Sequence, residues 1–290
     1  MGPTACFRAL GVLLFLTIAI RTGFAADDSA SPTDAKRYLP WDKGSVALGG
    51  FVTVFNSSIS FGLDNAPGVN IDAEKTLGLD STLSVFQAKA LYRPGESLRN
   101  QVELSYASYD RAGDAILSQD LTIDGVTYPI GARVQTVFNF TLIQGSYSYA
   151  VVQNERARLA IGASAYVVPL KYGLNITTSG GRTNVNGADT ALPLPALALR
   201  SEFQVIPRLY LNAGLDAMYL EIAGYRGSLL DFKAGAEYRL WKNFGLGLGY
   251  GFTGINVDAK SSRSGYPGAS FVGKVDVRFS GLLLYGKLSF

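Results

Sequence analysis

The side chains that could act chemically in this sequence are carboxylates and cations. Its 290 residues contain no histidine and a single cysteine, Cys6, close to the N-terminus. A serine or water nucleophile therefore lacks its usual base near neutral pH, and His-based zinc sets are absent. Hydrolysis by paired carboxylates is what remains in principle. Lys and Arg number 26 against 23 Asp and Glu, a formal +3, and the charged share is 17%, below the roughly 25% usual in globular domains. That balance supports neither nucleic-acid binding nor a polyacidic tail.

The charges are placed more informatively than they are numerous. Lys89, Arg93, Glu103, Arg158, Arg200, Glu202, Asp216, Asp231, Lys233, Glu237 and Arg239 all fall on one side of segments whose other side is apolar. Two readings fit. They can pair across strands and fill a narrow polar interior, since an unpaired buried charge costs several kcal/mol. They can instead line a small pore and set its selectivity. The acids Asp64, Asp72, Glu74 and Asp80, and Asp110 with Asp114, sit between such segments, where they would be surface charges or a divalent-cation site. Lys260, Arg263 and the Gly265-Tyr266 neighbourhood could touch anionic headgroups. Glycines alternate strictly from Gly245 to Gly251 but open no helix, so they fail the test for a phosphate loop. They are expected to make room for bulky inward neighbours such as Tyr210 or Tyr166.

The elements that carry these residues read as strands of period two. Ten can be placed, near 45–61, 82–93, 99–110, 132–149, 157–172, 192–205, 209–222, 227–240, 244–257 and 273–290. The eighth is the clearest: Leu230, Phe232, Ala234, Ala236, Tyr238 and Leu240 oppose Asp231, Lys233, Gly235, Glu237 and Arg239. In the fourth, Phe138, Phe140 and Leu142 share a face, and the parity reads as slipping near Ile143–Gly145, as a bulge would make it. Short connections (94–98, 150–156, 206–208, 241–243) alternate with mostly long ones (62–81, 111–131, 173–191, 258–272), 223–226 being a short exception. Ile123-Asp124-Gly125-Val126 reads as a hairpin tip. Trp41, Tyr92, Tyr147, Tyr149, Tyr238 and Trp241 cluster at one set of strand ends, and Tyr106, Tyr219 and Phe252 nearer the other.

The N-terminus reads as a cleaved signal peptide over residues 1–25: Arg8, an apolar run Ala9–Ile20, then small residues ending at Ala25. Cys6 lies within it, so the remaining chain has no disulfide or thiol chemistry. Residues 26–43 are a polar lead-in, and 44–290 form one domain.

The last ten residues, Gly281 to Phe290, alternate Leu282, Leu284, Gly286, Leu288 and Phe290 with Leu283, Tyr285, Lys287 and Ser289. This terminal strand with its final aromatic resembles the closing strand of small bacterial outer-membrane β-barrel proteins. The resemblance is to the class and implies an all-β fold, a transmembrane antiparallel up-and-down barrel of about ten strands, with eight or twelve also fitting. Short turns then face the periplasm and long loops the outside. It implies location in the bacterial outer membrane, with Phe290 as the assembly signal read by the barrel-assembly machinery. Membrane lipids and lipopolysaccharide are the expected partners, and nucleic acid is not one. Trp41, Tyr92, Tyr238 and Trp241 become a periplasmic aromatic girdle. The lumen charge network is Lys89, Glu103, Arg158, Arg200, Glu202, Asp216, Asp231, Lys233, Glu237 and Arg239. Enzymes among such barrels (omptin-like proteases, the outer-membrane phospholipase, lipid A-modifying enzymes) rely on an essential His that this sequence lacks. No catalytic residue, metal or cofactor is expected. The expected role is structural or surface-interacting, with a side-chain-filled lumen; a narrow pore for small solutes is the alternative.

Overall fold

The computed structural model describes residues 40–61, 69–123, 126–178, 181–186, 190–222, 225–259 and 273–290. The expected leader and most of the lead-in lie outside these residues, as do Asp64, Asp124-Gly125, Lys260, Arg263 and Gly265-Tyr266. In chain order the strands are β1 (Gly44–Phe61), β2 (Val69–Asp72), β3 (Thr82–Tyr92), β4 (Asn100–Ile116), β5 (Leu121–Ile123), β6 (Val126–Tyr128), β7 (Arg133–Gln153), β8 (Ala157–Thr178), β9 (Gly181–Asn186), β10 (Thr190–Ile206), β11 (Leu209–Ile222), β12 (Tyr225–Arg239), β13 (Phe244–Ala259) and β14 (Gly273–Ser289).

Ten of them close a ring of antiparallel neighbours, β1-β3-β4-β7-β8-β10-β11-β12-β13-β14 and back to β1. The seam runs from Ser45↔Ser289 to Phe61↔Gly273. At its foot Gly44 and Phe290 exchange reciprocal backbone bonds of 2.9 Å. A Cβ on Gly44 would come within 2.3 Å of the Phe290 ring, so the terminal aromatic closes against bare backbone. The expected strand count holds, and so do the positions, except that β4, β7 and β8 run on to Ile116, Gln153 and Thr178, beyond the expected 110, 149 and 172. The remaining four strands decorate the end opposite the termini: β2 extends β1, β9 extends β8, and β5 and β6 pair as a hairpin.

A closed ring leaves no unpaired edge, which is what a bilayer requires of strands. Its outer face suits that solvent. Val52, Phe86, Leu104, Leu197, Leu248 and Leu284 are 53–76% exposed, spread over six strands of the ring. A soluble monomer rarely exposes one apolar patch beyond a few hundred Å²; here the patch is the whole belt. Leu248→Arg, in the apolar belt on β13, is accordingly expected to cost about 2–4 kcal/mol in a lipid bilayer. Urea titration in vesicles measures it, and a cost near zero would mean the position does not meet lipid.

β7 corrects one expectation. Its register with β4 is unbroken from Asn100↔Tyr149 to Ile116↔Arg133, so no bulge interrupts Ile143–Gly145. The irregularity lies lower, between Ala150 and Val152, beside the β7–β8 turn. Every even-numbered side chain from Val134 to Ala150 points inward and is buried. Phe138, Phe140 and Leu142 therefore share the lumen with Gln144, Ser146 and Ser148. What looked like a slip in parity is a change in the lumen itself, polar towards the termini and apolar beyond.

β4, β7 and β8 have 17, 21 and 22 residues, well beyond the roughly 9–11 that cross a bilayer. Their projecting ends carry a second small core in which Ile71, Leu77, Leu117, Tyr128, Val134, Leu174 and Ile176 are buried together. Residues 73–81 fold onto this extension, where Gly78 takes a left-handed φ of 65°. A side chain on Gly113 would strike the Gly78 backbone at 2.6 Å, so glycine allows the two segments to touch.

Candidate functional site: the barrel interior

The lumen is layered. Its lowest layer is built by the chain segment just ahead of β1. Trp41 is 4% exposed; its indole Nε1 donates to the Asn154 carbonyl in the β7–β8 turn at 3.1 Å, and its ring meets Tyr210 of β11 edge-on at 6.5 Å. Trp41 therefore spans the mouth of the barrel and is no part of an outward girdle. Its inward turn accompanies Asp42, which is held by β12, by β14 and by Arg93 just after β3. The carboxylate accepts from Arg239 (2.6 Å) and Ser289 (2.9 Å) and pairs with Lys287 (3.2 Å), while its carbonyl accepts from Arg93 (2.9 Å). The other girdle candidates, Tyr92, Tyr238 and Trp241, are 49%, 45% and 69% exposed at the same end of the barrel.

Above the mouth the charges interlock. Arg93 and Arg158 share Glu202, and Gln101 Oε1 accepts from both guanidiniums. Lys287 pairs with Glu237 at 3.1 Å. One layer higher, Glu103 lies between Lys89 (2.6 Å) and Arg200 (2.7 Å), and Arg200 reaches on to Asp216 at 3.0 Å. Asp216 also accepts from Ser164 at 2.6 Å and Gln144 at 3.2 Å. Asp231 accepts from Lys233, Thr253 and Tyr166 at 2.7, 2.7 and 3.0 Å. All ten residues expected in the lumen network thus point inward and stand in ion pairs with one another or with Asp42 and Lys287.

Those two partners were not singled out from the sequence. Lys287 carried the signal, an odd position on the terminal strand opposite the leucines. Asp42 precedes the periodic run, where alternation says nothing.

Between these pairs lies a cavity of about 220 Å³, lined in part by Lys89, Asn212, Lys233 and Tyr285. The Lys89 and Lys233 side chains remain 48% and 39% accessible within it. Tyr285 leans over Gly247 of β13, where a Cβ would fall 2.1 Å from the ring, and its hydroxyl accepts from Asn212 at 3.2 Å. The alternating glycines of β13 do make room for a tyrosine, but at Gly247 it is Tyr285 and not Tyr210 or Tyr166.

The cavity ends against an aromatic layer. Phe279 stands 5.0 Å from Phe55, 4.8 Å from Tyr109, 6.0 Å from Phe140 and 6.3 Å from Phe51 between ring centroids. Tyr109 and Phe140 stack at 4.6 Å. Val168, Leu194, Leu229, Ile255, Val257 and Val277 pack around them, all below a tenth exposed. On this layer sits Arg111, its guanidinium 4.2 Å above the Phe55 ring. It donates to Ser57 Oγ (2.8 Å), to Glu74 (2.6 Å) and to the Asp80 carbonyl (2.9 Å). Glu74, one of the acids weighed for a cation, is thereby tied inside the outer mouth. Asp72 pairs with Lys75 at 3.3 Å and Asp114 with Arg133 at 2.5 Å. Among the described residues no cluster of acids is arranged to hold a metal.

No protein-family model and no curated protein matches the chain in sequence. Solved structures do match in shape. The outer membrane protease OmpT from Escherichia coli superposes with a TM-score of 0.54 over 89% of this chain and 100% of that one, at 9% identity. OprG, an outer membrane protein of Pseudomonas aeruginosa, matches over 87% of this chain and 100% of that one, at 13% identity and a TM-score of 0.34. Ail, the attachment invasion locus protein of Yersinia pestis, matches over 84% and 98% at 11% identity and a TM-score of 0.28. Identities this low speak for fold and not for activity. The chain has the fold of bacterial outer-membrane β-barrel proteins, and its apolar belt sets that barrel across a membrane.

Proposed function

We propose that this outer-membrane barrel is a closed, non-enzymatic scaffold whose work is done on its outer surface. The observation that supports the reading is the aromatic layer around Phe279, in which rings from β1, β4, β7 and β14 meet inside the lumen. Barrels of about eight strands are narrow enough to be filled by side chains, and aqueous channels belong to much wider ones. Beneath the layer, each described inward carboxylate already has a cation partner. Such acids are poorly placed to serve as a proton-accepting pair, and the chain has no histidine to replace them. Above the layer, the projecting ends of β4, β7 and β8 carry their own small core, a platform beyond the membrane span. Phe290, 69% exposed at the seam, remains our candidate for the residue read during assembly.

A second reading, a narrow solute pore, draws on the cavity and its two accessible lysines. One experiment separates them. The refolded barrel in a planar bilayer is expected to show no steady conductance. Reproducible channels whose size changes with substitution at Lys233 or Glu237 would replace the scaffold with the pore.

A further inference from the structure

On the outer wall, away from the termini, the belt is interrupted by a groove of about 570 Å³ spanning β10 to β14. The strand register explains it. One row of outward side chains runs Leu197↔Ala217↔Leu230↔Gly254↔Arg278, so two small residues alternate with large ones. The row above it, further from the termini, runs Tyr219↔Ser228↔Asn256↔Asp276 and is polar. Phe252, two positions below Gly254 on the same face, bounds the trough on the membrane side. The groove thus has an apolar floor and a polar upper lip. On that lip Asn256 donates to Asp276 at 3.0 Å, and Arg278 donates to the same carboxylate at 2.9 Å while 62% of its side chain stays exposed.

We infer that this groove seats a phosphorylated glycolipid of the outer leaflet. A phosphate would meet the Arg278 guanidinium, the donor geometry that suits phosphate oxygens. Sugar hydroxyls would bond Asn256, Ser228 and the Asp276 carboxylate, and an acyl chain would lie in the trough over Ala217 and Gly254. A phospholipid headgroup offers one phosphate with at most the two hydroxyls of a glycerol, too few to occupy Asn256, Ser228 and Asp276 together. This goes beyond the closed-lumen reading and stands whether or not the lumen conducts.

Two variants test it in the refolded full chain, with folding checked by heat-dependent gel mobility. Gly254→Leu fills the trough without changing charge; a Cβ there meets only the Phe252 ring at 3.5 Å and Arg278 at 4.0 Å, so the fold should tolerate it. Arg278→Gln removes the cation. Leu104→Ala, lipid-facing on β4 across the barrel, is the control. The probe is purified lipopolysaccharide titrated against micellar protein, with phosphatidylglycerol as the comparison lipid. The expected result is binding weakened about tenfold by either groove variant, a loss of the size of one charge-assisted contact, and unchanged by the control. If Arg278→Gln fails to fold, Gly254→Leu decides alone. Wild-type protein binding phosphatidylglycerol as tightly as lipopolysaccharide, or Gly254→Leu binding as well as wild type, would overturn the assignment.

Discussion

Phe279→Ala is expected to destabilise the barrel by about 3–5 kcal/mol, the range for emptying a packed aromatic site, and to make a silent barrel leak. Phe279 is 2% exposed and touches four other rings, one each from β4 and β7 and two from β1. Those strands lie within the run β14-β1-β3-β4-β7 of the ring, so no single neighbour can collapse into the space. The surrounding backbone is tied in a closed ladder, which limits relaxation further. The void would join the cavity below to the outer mouth, where Arg111 and Glu74 would be the last obstacle. Urea unfolding in vesicles and bilayer conductance measure the two effects separately. A variant as stable as wild type and equally silent would show that the aromatic layer neither supports the fold nor seals it.

Arg200→Met should cost about as much, roughly 3–5 kcal/mol, because it strands charges in place of removing them. Arg200 is the centre of a four-member chain, Lys89–Glu103–Arg200–Asp216, and its side chain is 8% exposed. It also donates to the Leu199 and Leu215 carbonyls at 3.1 and 3.3 Å. Methionine fills similar volume but leaves Asp216 without its ion-pair partner and Glu103 with Lys89 alone. Lys233→Met is the informative comparison. Lys233 is 39% accessible and pairs with Asp231 alone, whereas Arg200 is buried between two carboxylates and two carbonyls, so losing Lys233 should cost less. Equal midpoints for the two variants would mean that the Arg200 network contributes no more than a solvated pair.

Much of this was legible before any coordinates, and the reason is mechanical. In a strand, facing follows from counting by twos, so the inward set from Lys89 to Arg239 could be read directly. Closure was legible from the terminal strand, because Leu282 to Phe290 needed a partner. What counting by twos does not carry is the chemistry of each height in the lumen. Phe138, Phe140 and Leu142 share an inward face with Gln144, Ser146 and Ser148, and a face that turns from apolar to polar along one strand reads in sequence as a slip of parity. Trp41 failed for a different reason. Aromatics at strand ends usually sit at the interface, but this one precedes the strand, where no alternation dictates a face, and it turns inward beside Asp42. Gly247 shows the same boundary. Alternation predicts that a glycine makes room, while the identity of the guest depends on register with the next strand.

Asp42 has a consequence for the order of events in folding. Its partners come from β12, β14 and Arg93 just after β3, parts drawn from the early, late-middle and final stretches of the chain. They converge only once β14 has met β1 and the ring exists. If closure follows the rate-limiting step, such contacts bear on the speed of unfolding and hardly on that of folding. The stretch from Trp41 to Lys43 thereby acts as a clasp fastened after closure, lengthening the lifetime of the finished barrel.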